Sequence, residues 1–333
     1  ALGDFIIVRS NGIPAYNFAV VVDDHLMGIT HVIRGEDHLS NTALQLLLYR
    51  ALGFEPPQFA HHALILGRDR AKLGKRHGAT AVREFREHGV LPEALVNYLA
   101  LLGSSFEAGR EFCRVEETIA SFSLDRAGKS GAVFDEDKLR WLNSLYIRQE
   151  APEILVRRLR PFVAAAGYGE IGASRLHGII EAVRDNLHDL TEIGDYLRIF
   201  DDGAYDLSPE ARAIIAGPEA REVIASLLAL LTEPIAGDRV EPVANARNSD
   251  DQAFATGSGE GARIAGANDE VTSSLYRTLM ELLAERTGRR GKKLFLPLRA
   301  ALTGRTRGPE LDRCFAVLGR ASMRRRLESA LAV

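Results

Sequence analysis

The sequence predicts an α/β segment followed by an all-α one, and three observations carry that prediction. Up to about residue 66, β-branched and aromatic runs alternate with one amphipathic stretch, and from about residue 80 apolar residues recur at helical spacing. Charged clusters fall where the early apolar runs end. At 333 residues the chain has room for more than one domain.

Residues 5–9 (FIIVR) and 18–22 (FAVVV) read as strands joined through Asn11-Gly12, a dipeptide that favours tight turns. The apolar run 28–33 ends at Arg34-Gly35-Glu36-Asp37-His38. A helix is predicted over 41–52, with Thr42 and Gln45 spaced as a capping box and Leu44, Leu47 and Leu48 on one stripe. Ala63-Leu64-Ile65-Leu66 reads as a short buried strand. Strand, helix and strand make a βαβ unit, whose ligands sit at the carboxyl ends of the strands. Both Arg34–His38 and the stretch 68–76 lie at such ends. Helices follow over 81–88, 92–102, 115–122 and 136–147, then over 152–166, 174–200, 208–232, 272–287 and 309–330. Pro161 is expected to kink or end the first of the second group. Residues 234–272, rich in Gly, Ala, Asn, Asp and Ser, read as a long, mobile surface excursion.

Apolar residues make up 46% and charged residues 26% of the chain, and no apolar run approaches the ~18 residues of a membrane span. A soluble cytoplasmic protein with no membrane contact is expected. Cys113 and Cys314 stand far apart, with no second pair or nearby histidine cluster, which argues against a disulfide scaffold and a zinc site. His25, His31, His61, His62 and His77 lack ligand spacing, and Asp23-Asp24 are read as capping the turn before Leu26 rather than holding magnesium. No metal site is expected. The chain opens on a strand-like text with no cap or leader before it, so it is expected to begin inside a larger fold.

Net charge is −3, but residues 281–333 hold thirteen Lys/Arg against five Asp/Glu, a local +8. A basic end on an acidic body suits a face that meets phosphates, and equally a solvated helix surface. A second basic cluster is more specific. Arg68, Arg70, Lys72, Lys75 and Arg76, opposed locally by Asp69 alone, sit beside Gly67, Gly74 and Gly78 directly after an apolar run. Glycines let backbone approach a ligand, and lysine ammonium groups bring movable positive charge to phosphate oxygens. The combination suits a triphosphate attacked at its α-phosphate with pyrophosphate leaving. As a bare pattern it is also that of a basic surface turn.

Lys72-Leu73-Gly74-Lys75-Arg76-His77-Gly78-Ala79 resembles the KMSKS loop of class I aminoacyl-tRNA synthetases in the form glutamyl enzymes carry. Residues 13–38, from Ile13-Pro14-Ala15-Tyr16-Asn17 to Arg34-Gly35-Glu36-Asp37-His38, are similar to the second half of the bacterial glutamyl-tRNA synthetase catalytic fold. Leu91-Pro92-Glu93-Ala94-Leu95, Phe134-Asp135 to Trp141-Leu142-Asn143, and Leu294-Phe295-Leu296-Pro297-Leu298-Arg299 resemble later blocks of that family. The resemblance implies the C-terminal half of a Rossmann-type catalytic domain over 1–66, the KMSKS-type loop and a stem-contact region over 67–150, and a helical anticodon-binding domain over 151–333.

It also implies roles. Arg34 would clamp the α-carboxylate of glutamate through its guanidinium fork, with Tyr16 lining the pocket. Asp37, with Glu36 and His38, would hold the ribose or adenine end of ATP, and Ile65 would meet the adenine. Lys75, assisted by Lys72, would stabilise the charge developing on pyrophosphate. Arg184 would read an anticodon base, while Arg289, Arg290, Lys292, Lys293 and Arg299 would meet tRNA phosphates. The implied function is ATP-dependent ligation of glutamate to tRNA(Glu), with Mg2+ arriving on ATP, no zinc, and a monomer as the working form.

Two departures from the family bear on this. No HIGH-type His-x-Gly-His signature occurs in the 333 residues, so this chain alone is expected not to activate glutamate. Gly74 stands where the family usually has Ser, which removes a hydroxyl donor and adds flexibility. A tRNA-binding paralogue or fragment without catalysis is the alternative. An enzyme that glutamylates a modified tRNA base is disfavoured by the long helical portion 152–333.

Overall fold

Asn11-Gly12 makes the expected turn: Gly12 takes φ 82°, its N–H donates to Arg9 O, and Asn11 Oδ1 accepts from Ile13 N–H. The arms are shorter than expected. Only Val8 and Pro14 form a bridge, and 18–22 is not a strand but the middle of helix α1 (Tyr16–Leu26). The physical reason is tertiary. Phe18 and Val21 lie about one turn apart and pack with Leu48 and Tyr49, so helix docking overrides the β preference of the valines. Asp23 and Asp24 consequently sit in the last turn of α1 and do not cap the turn before Leu26.

The computed structural model describes residues 3–78, 80–103, 109–128, 130–232 and 272–333, so the excursion expected over 234–272 lies outside the described residues except for Thr272. The chain divides into two units, Ala1–Tyr146 and Ile147–Val333. In the first, β1 (His31–Gly35), α2 (Leu39–Leu52) and β2 (Gln58–His62) form the βαβ unit. β1 and β2 pair in parallel, from His31 opposite Gln58 to Gly35 opposite His62. The returning strand is therefore 58–62 rather than 63–66. β3 (Ile65–Leu66) pairs in parallel with β4 (Ala132–Val133), a strand that composition alone did not signal.

Thr42 and Gln45 do not cap α2, which starts at Leu39; both lie inside it, buried. After the basic loop come α3 (Val82–Glu87), α4 (Pro92–Gly103), α5 (Val115–Ser121) and α6 (Glu136–Gln149). Phe85, Leu95, Tyr98, Phe134, Leu139 and Leu142 form the core beneath the loop, with Ile65 and Leu73 against it. Tyr98 and Phe134 meet edge to face at 5.2 Å, and each buried aromatic or leucine of this size is worth ~1.5–3 kcal/mol.

The second unit is helical throughout its described part: α7 (Pro152–Ala165), α8 (Ala173–Val183), α9 (Ile193–Ile199), α10 (Pro209–Ile215), α11 (Pro218–Thr232), α12 (Ser273–Thr287), α13 (Lys292–Thr303) and α14 (Leu311–Leu331). α7 does not end at Pro161 but runs on to Ala165, its face Leu155, Leu159 and Val163 buried. The helix expected over 174–200 breaks into α8 and α9: the chain leaves helical geometry at Leu187, and Asp189, whose side chain accepts from Thr191 N–H, caps the turn that leads into α9. That expected over 208–232 divides at Gly217, with Pro218 opening α11. α14 is interrupted at Gly319, φ 70°. Both cysteines are buried thiols, and burial pushes Cys314 up to about 12. Among the described residues no helix is long and apolar enough to cross a membrane.

Candidate functional site

The candidate site lies where β1 ends, and Arg34 is its fixed point. Arg34 Nη2 donates to Thr42 Oγ1 at 2.6 Å and to Gln45 Oε1 at 2.7 Å, so α2 holds one edge of the fork. Each holder is held in turn. Thr42 Oγ1 lies 2.8 Å from His61 Nε2 on β2, and Gln45 Nε2 donates to Asn17 Oδ1 on α1 at 3.0 Å. The guanidinium sits over the Phe59 ring, 5.5 Å from its centroid. Its Nε is buried with no hydrogen-bond partner. An N–H left in that state is a ready donor for an acidic oxygen.

The next residues turn the chain from strand into helix. A Cβ at Gly35 would come within 2.5 Å of Asp37 Oδ1 and 3.0 Å of Leu64 Cδ2, so a larger residue there would push the Asp37 carboxylate aside. Glu36, Asp37 and His38 form a short turn ahead of α2. Asp37 Oδ2 accepts from Lys72 Nζ at 2.6 Å, and that bond holds the Asp37 carboxyl below the usual carboxylate range. Glu36 Oε1 accepts from Leu64 N–H at 3.5 Å. The His38 ring pairs with Asn41 at 3.2 Å and lies 6.1 Å from the half-exposed Tyr16 ring, which opens α1. Asp24, near Arg34, has its carboxyl raised by burial, which Arg34 opposes.

The basic loop folds back on β3. Leu66 bridges Lys72, and Leu73 N–H donates to Ile65 O, so that carbonyl is engaged while the Ile65 side chain packs on the core. Two of the loop's cations, opposed in sequence by Asp69 alone, meet carboxylates from elsewhere, and a third meets Asp69 itself. Arg68 pairs with Asp137 at 2.8 Å, Lys72 with Asp37, and Arg76 with Asp69 at 3.2 Å. Among the described residues Arg70 and Lys75 are exposed and make no ion pair. Gly67, Arg68, Leu73, His77, Phe134 and Glu136 line a shallow recess beside the loop.

The structure thus gathers Tyr16, Arg34, Glu36, Asp37 and His38 at one strand end and brings Lys72 to them; Ile65 and Lys75 lie on the loop side. Sequence reasoning missed Thr42, Gln45 and Asn17, which orient Arg34. Their signal was a pair of polar residues on the buried side of an otherwise leucine-rich helix.

In the second unit the basic end is less free than its composition. Arg289 pairs with Glu219 and Glu222, Lys293 with Glu219, Arg305 with Asp206, Arg313 with Asp185, and Arg325 and Arg326 with Asp202. Arg299 donates to Pro309 O. Arg326, read with the phosphate-facing charges, is 2% exposed and also bonds Ile199 O and Leu302 O. Arg290, Lys292, Arg307 and Arg324 are exposed with no ion pair among the described residues. The Arg184 side chain is 14% exposed and donates to Glu181, Arg148 O and Glu150 O, which ties the segment just ahead of α7 to the end of α8.

Over residues 1–141 the chain matches the family model "tRNA synthetases class I (E and Q), catalytic domain", and over residues 262–331 the model "Anticodon binding domain". It is 53% identical over 333 residues to glutamate–tRNA ligase 2 of Syntrophus aciditrophicus, a match covering 99% of this chain and 62% of that protein. It is 43% identical over 331 residues to glutamate–tRNA ligase of Carboxydothermus hydrogenoformans, covering 98% and 62%. The solved glutamate tRNA ligase of Elizabethkingia meningosepticum, in complex with its amino acid, superposes with TM-score 0.77 at 26% identity, covering 100% of this chain and 62% of that one. The chain therefore spans less than two thirds of the length of these relatives.

Proposed function

Since the chain belongs to the class I tRNA synthetases of the glutamate and glutamine type, we propose that it serves a glutamate–tRNA ligase, supplying the lysine loop of the ATP site, the glutamate clamp and a tRNA-binding helical unit. The observation that supports this most directly is the reach of Lys72 to Asp37, 2.6 Å apart, which brings the basic loop to the strand end bearing Arg34.

In this reading Arg34 receives the α-carboxylate of glutamate on the guanidinium N–H groups left free once Thr42 and Gln45 have taken Nη2, the unpartnered Nε among them. Tyr16 borders that pocket. A carboxylate oxygen of glutamate attacks the α-phosphorus of ATP, and pyrophosphate leaves with the bonding pair. Lys72 exchanges Asp37 for phosphate oxygens, while the exposed Lys75 adds its charge where pyrophosphate forms. Asp37, released from Lys72, accepts from ribose hydroxyls, with Glu36 and His38 beside it. Mg2+ enters as part of the MgATP substrate, held by phosphates and water rather than by a protein cage. In the second step a terminal ribose hydroxyl of tRNA attacks the activated carbonyl and AMP departs. Arg290, Lys292 and the neighbouring Arg289 and Lys293 meet tRNA phosphates. Arg184 reaches an anticodon base by releasing its bonds to Arg148 O and Glu150 O. The setting is the cytoplasm, and the working form a monomer.

ATP–pyrophosphate exchange in the presence of tRNA and glutamate tests the reading. Exchange is expected from a chain carrying the relatives' full length and not from the 333 residues alone; exchange by these residues alone overturns the proposal that the activating site is incomplete here. Binding of tRNA without any binding of glutamate would instead favour a tRNA-binding protein without catalysis.

A further inference from the structure

Two side chains of the basic loop, Asp69 and His77, have no role in the proposed chemistry. Gly74 N–H donates to His77 Nδ1 at 3.0 Å, and His77 N–H donates back to Gly74 O at 2.8 Å, so the corner is closed from both directions. The far ring nitrogen, Nε2, lies 3.1 Å from Asp69 Oδ1. Asp69 also accepts from Ala71 N–H at 3.0 Å, and these bonds, the Ala71 one first, hold its carboxyl below the usual range.

A backbone amide only donates, so Nδ1 carries no proton and the neutral ring has its hydrogen on Nε2, aimed at Asp69. The 3.3 Å approach of Arg76 Nε to Nε2 is then a contact without a bond, and Arg76 is held through Nη2 on Asp69 Oδ2. The turn at Asp69 is demanding, because Arg70 takes φ 58°, the one positive value outside glycine among the described residues. The ring also lies close against Gly67, where a Cβ would come within 2.6 Å of His77 Cδ2 and 2.7 Å of Nε2. Gly67 N–H and O are in turn bonded to Ala71 O and Arg70 N–H.

We infer that Asp69 and His77 are positioning residues of the loop: an Nε2-protonated imidazole ties the 67–71 turn to the Gly74 corner and so fixes where Lys72 and Lys75, on either side of that corner, present their ammonium groups to a triphosphate. This positioning role rests on the loop being the phosphate site. Histidine suits the task because it accepts at one ring atom and donates at another; lysine and arginine only donate, and a carboxylate only accepts. The device compensates for Gly74, whose own backbone freedom would otherwise loosen the corner.

The test uses a chain carrying the relatives' full length, with these residues numbered as here. Long-range proton–nitrogen spectra are expected to show His77 with a bare Nδ1 and a protonated Nε2; a ring protonated at Nδ1 overturns the inference. Hydrogen exchange at the Gly74 amide is expected to quicken roughly tenfold in His77→Ala, where one well-made bond is missing, and to be restored by His77→Asn, whose Oδ1 accepts in place of Nδ1. MgATP affinity is then measured in Asp69→Ala, His77→Ala and the double variant. Positioning predicts that each single change weakens binding several-fold, that the double is no worse than the worse single, and that Asp69→Asn, which keeps an acceptor, rescues. Additive losses, or unchanged affinity in both single variants, overturn it. A parent chain that shows the nitrogen signature and the Gly74 protection but binds no MgATP supports the lock and overturns the phosphate reading.

Discussion

Lys72 Nζ lies 2.6 Å from Asp37 Oδ2, a bond between residues 35 positions apart that joins the basic loop to the end of β1. In the free protein the loop's first lysine therefore occupies the carboxylate read as the ribose acceptor. On the proposed function a nucleotide would have to separate the two, so the pair would set a threshold for closing the loop on it.

The Asp37 carboxyl titrates low because Lys72 favours its charged form. Removing the cation in Lys72→Met is expected to raise the Asp37 pKa towards the ordinary aspartate value. Carbon-detected carboxyl titration measures this, and an unmoved Asp37 would show that the pair does not persist in solution.

Arg34→Lys keeps the charge but loses the fork, so glutamate affinity is expected to fall by roughly tenfold or more. Thr42→Val and Gln45→Leu, which free the Nη2 edge, should each weaken glutamate by a smaller factor. Calorimetric titration of glutamate distinguishes the three variants. Unchanged affinity in Arg34→Lys would refute the clamp.

Burial pushes the Asp202 carboxyl up, but bonds from Ser322, Arg325 and Arg326 outweigh it and bring the pKa from 3.8 down to about 2. A depressed folded-state pKa contributes stability that is complete above the unfolded value and is lost as pH falls through the folded one, here from about 4 to about 2. Because the Asp202 side chain is 37% exposed, the contribution is on the order of 1 kcal/mol after allowing for screening. Asp202→Asn should abolish that acid limb. It should also cost about 3 kcal/mol at neutral pH by leaving the buried Arg326 charge without its partner. Thermal unfolding across pH 2–6 checks both effects.

Arg290→Glu and Lys292→Glu are expected to weaken tRNA binding and to lower the log–log salt slope by roughly one for each phosphate that is no longer neutralised. Arg305→Ala, which removes a partner of Asp206, should reduce the stability of the helical unit and leave the slope alone. Filter binding at several salt concentrations separates these outcomes. Equal slopes in all variants would remove this stretch from the tRNA face.

Much of the site was legible as local pattern. The loop 72–76 carries its glycine and lysines in one short stretch, and Arg34 to His38 follow an apolar run that ends at a charged cluster. Most helices from residue 82 onward announced themselves by periodicity, but α13 was not expected, the stretches 174–200 and 208–232 each divided in two, α14 is interrupted at Gly319, and α7 runs on past Pro161. α1 was misread because three consecutive valines state a β preference that only its docking on Leu48 and Tyr49 overrules.

By itself, then, the sequence determined the α/β-then-α order, the βαβ unit and the identity of the charged residues at its end, because each depends on neighbours within a few positions. Tertiary structure alone decided the partners. That Thr42 and Gln45 hold Arg34 rather than cap a helix, that Lys72 rests on Asp37, and that Asp202 takes up Arg326 all depend on elements far apart in the chain. A hydrogen bond forms over about 3 Å of space, whatever the distance in sequence, and local pattern carries no record of which distant groups the core brings within that reach.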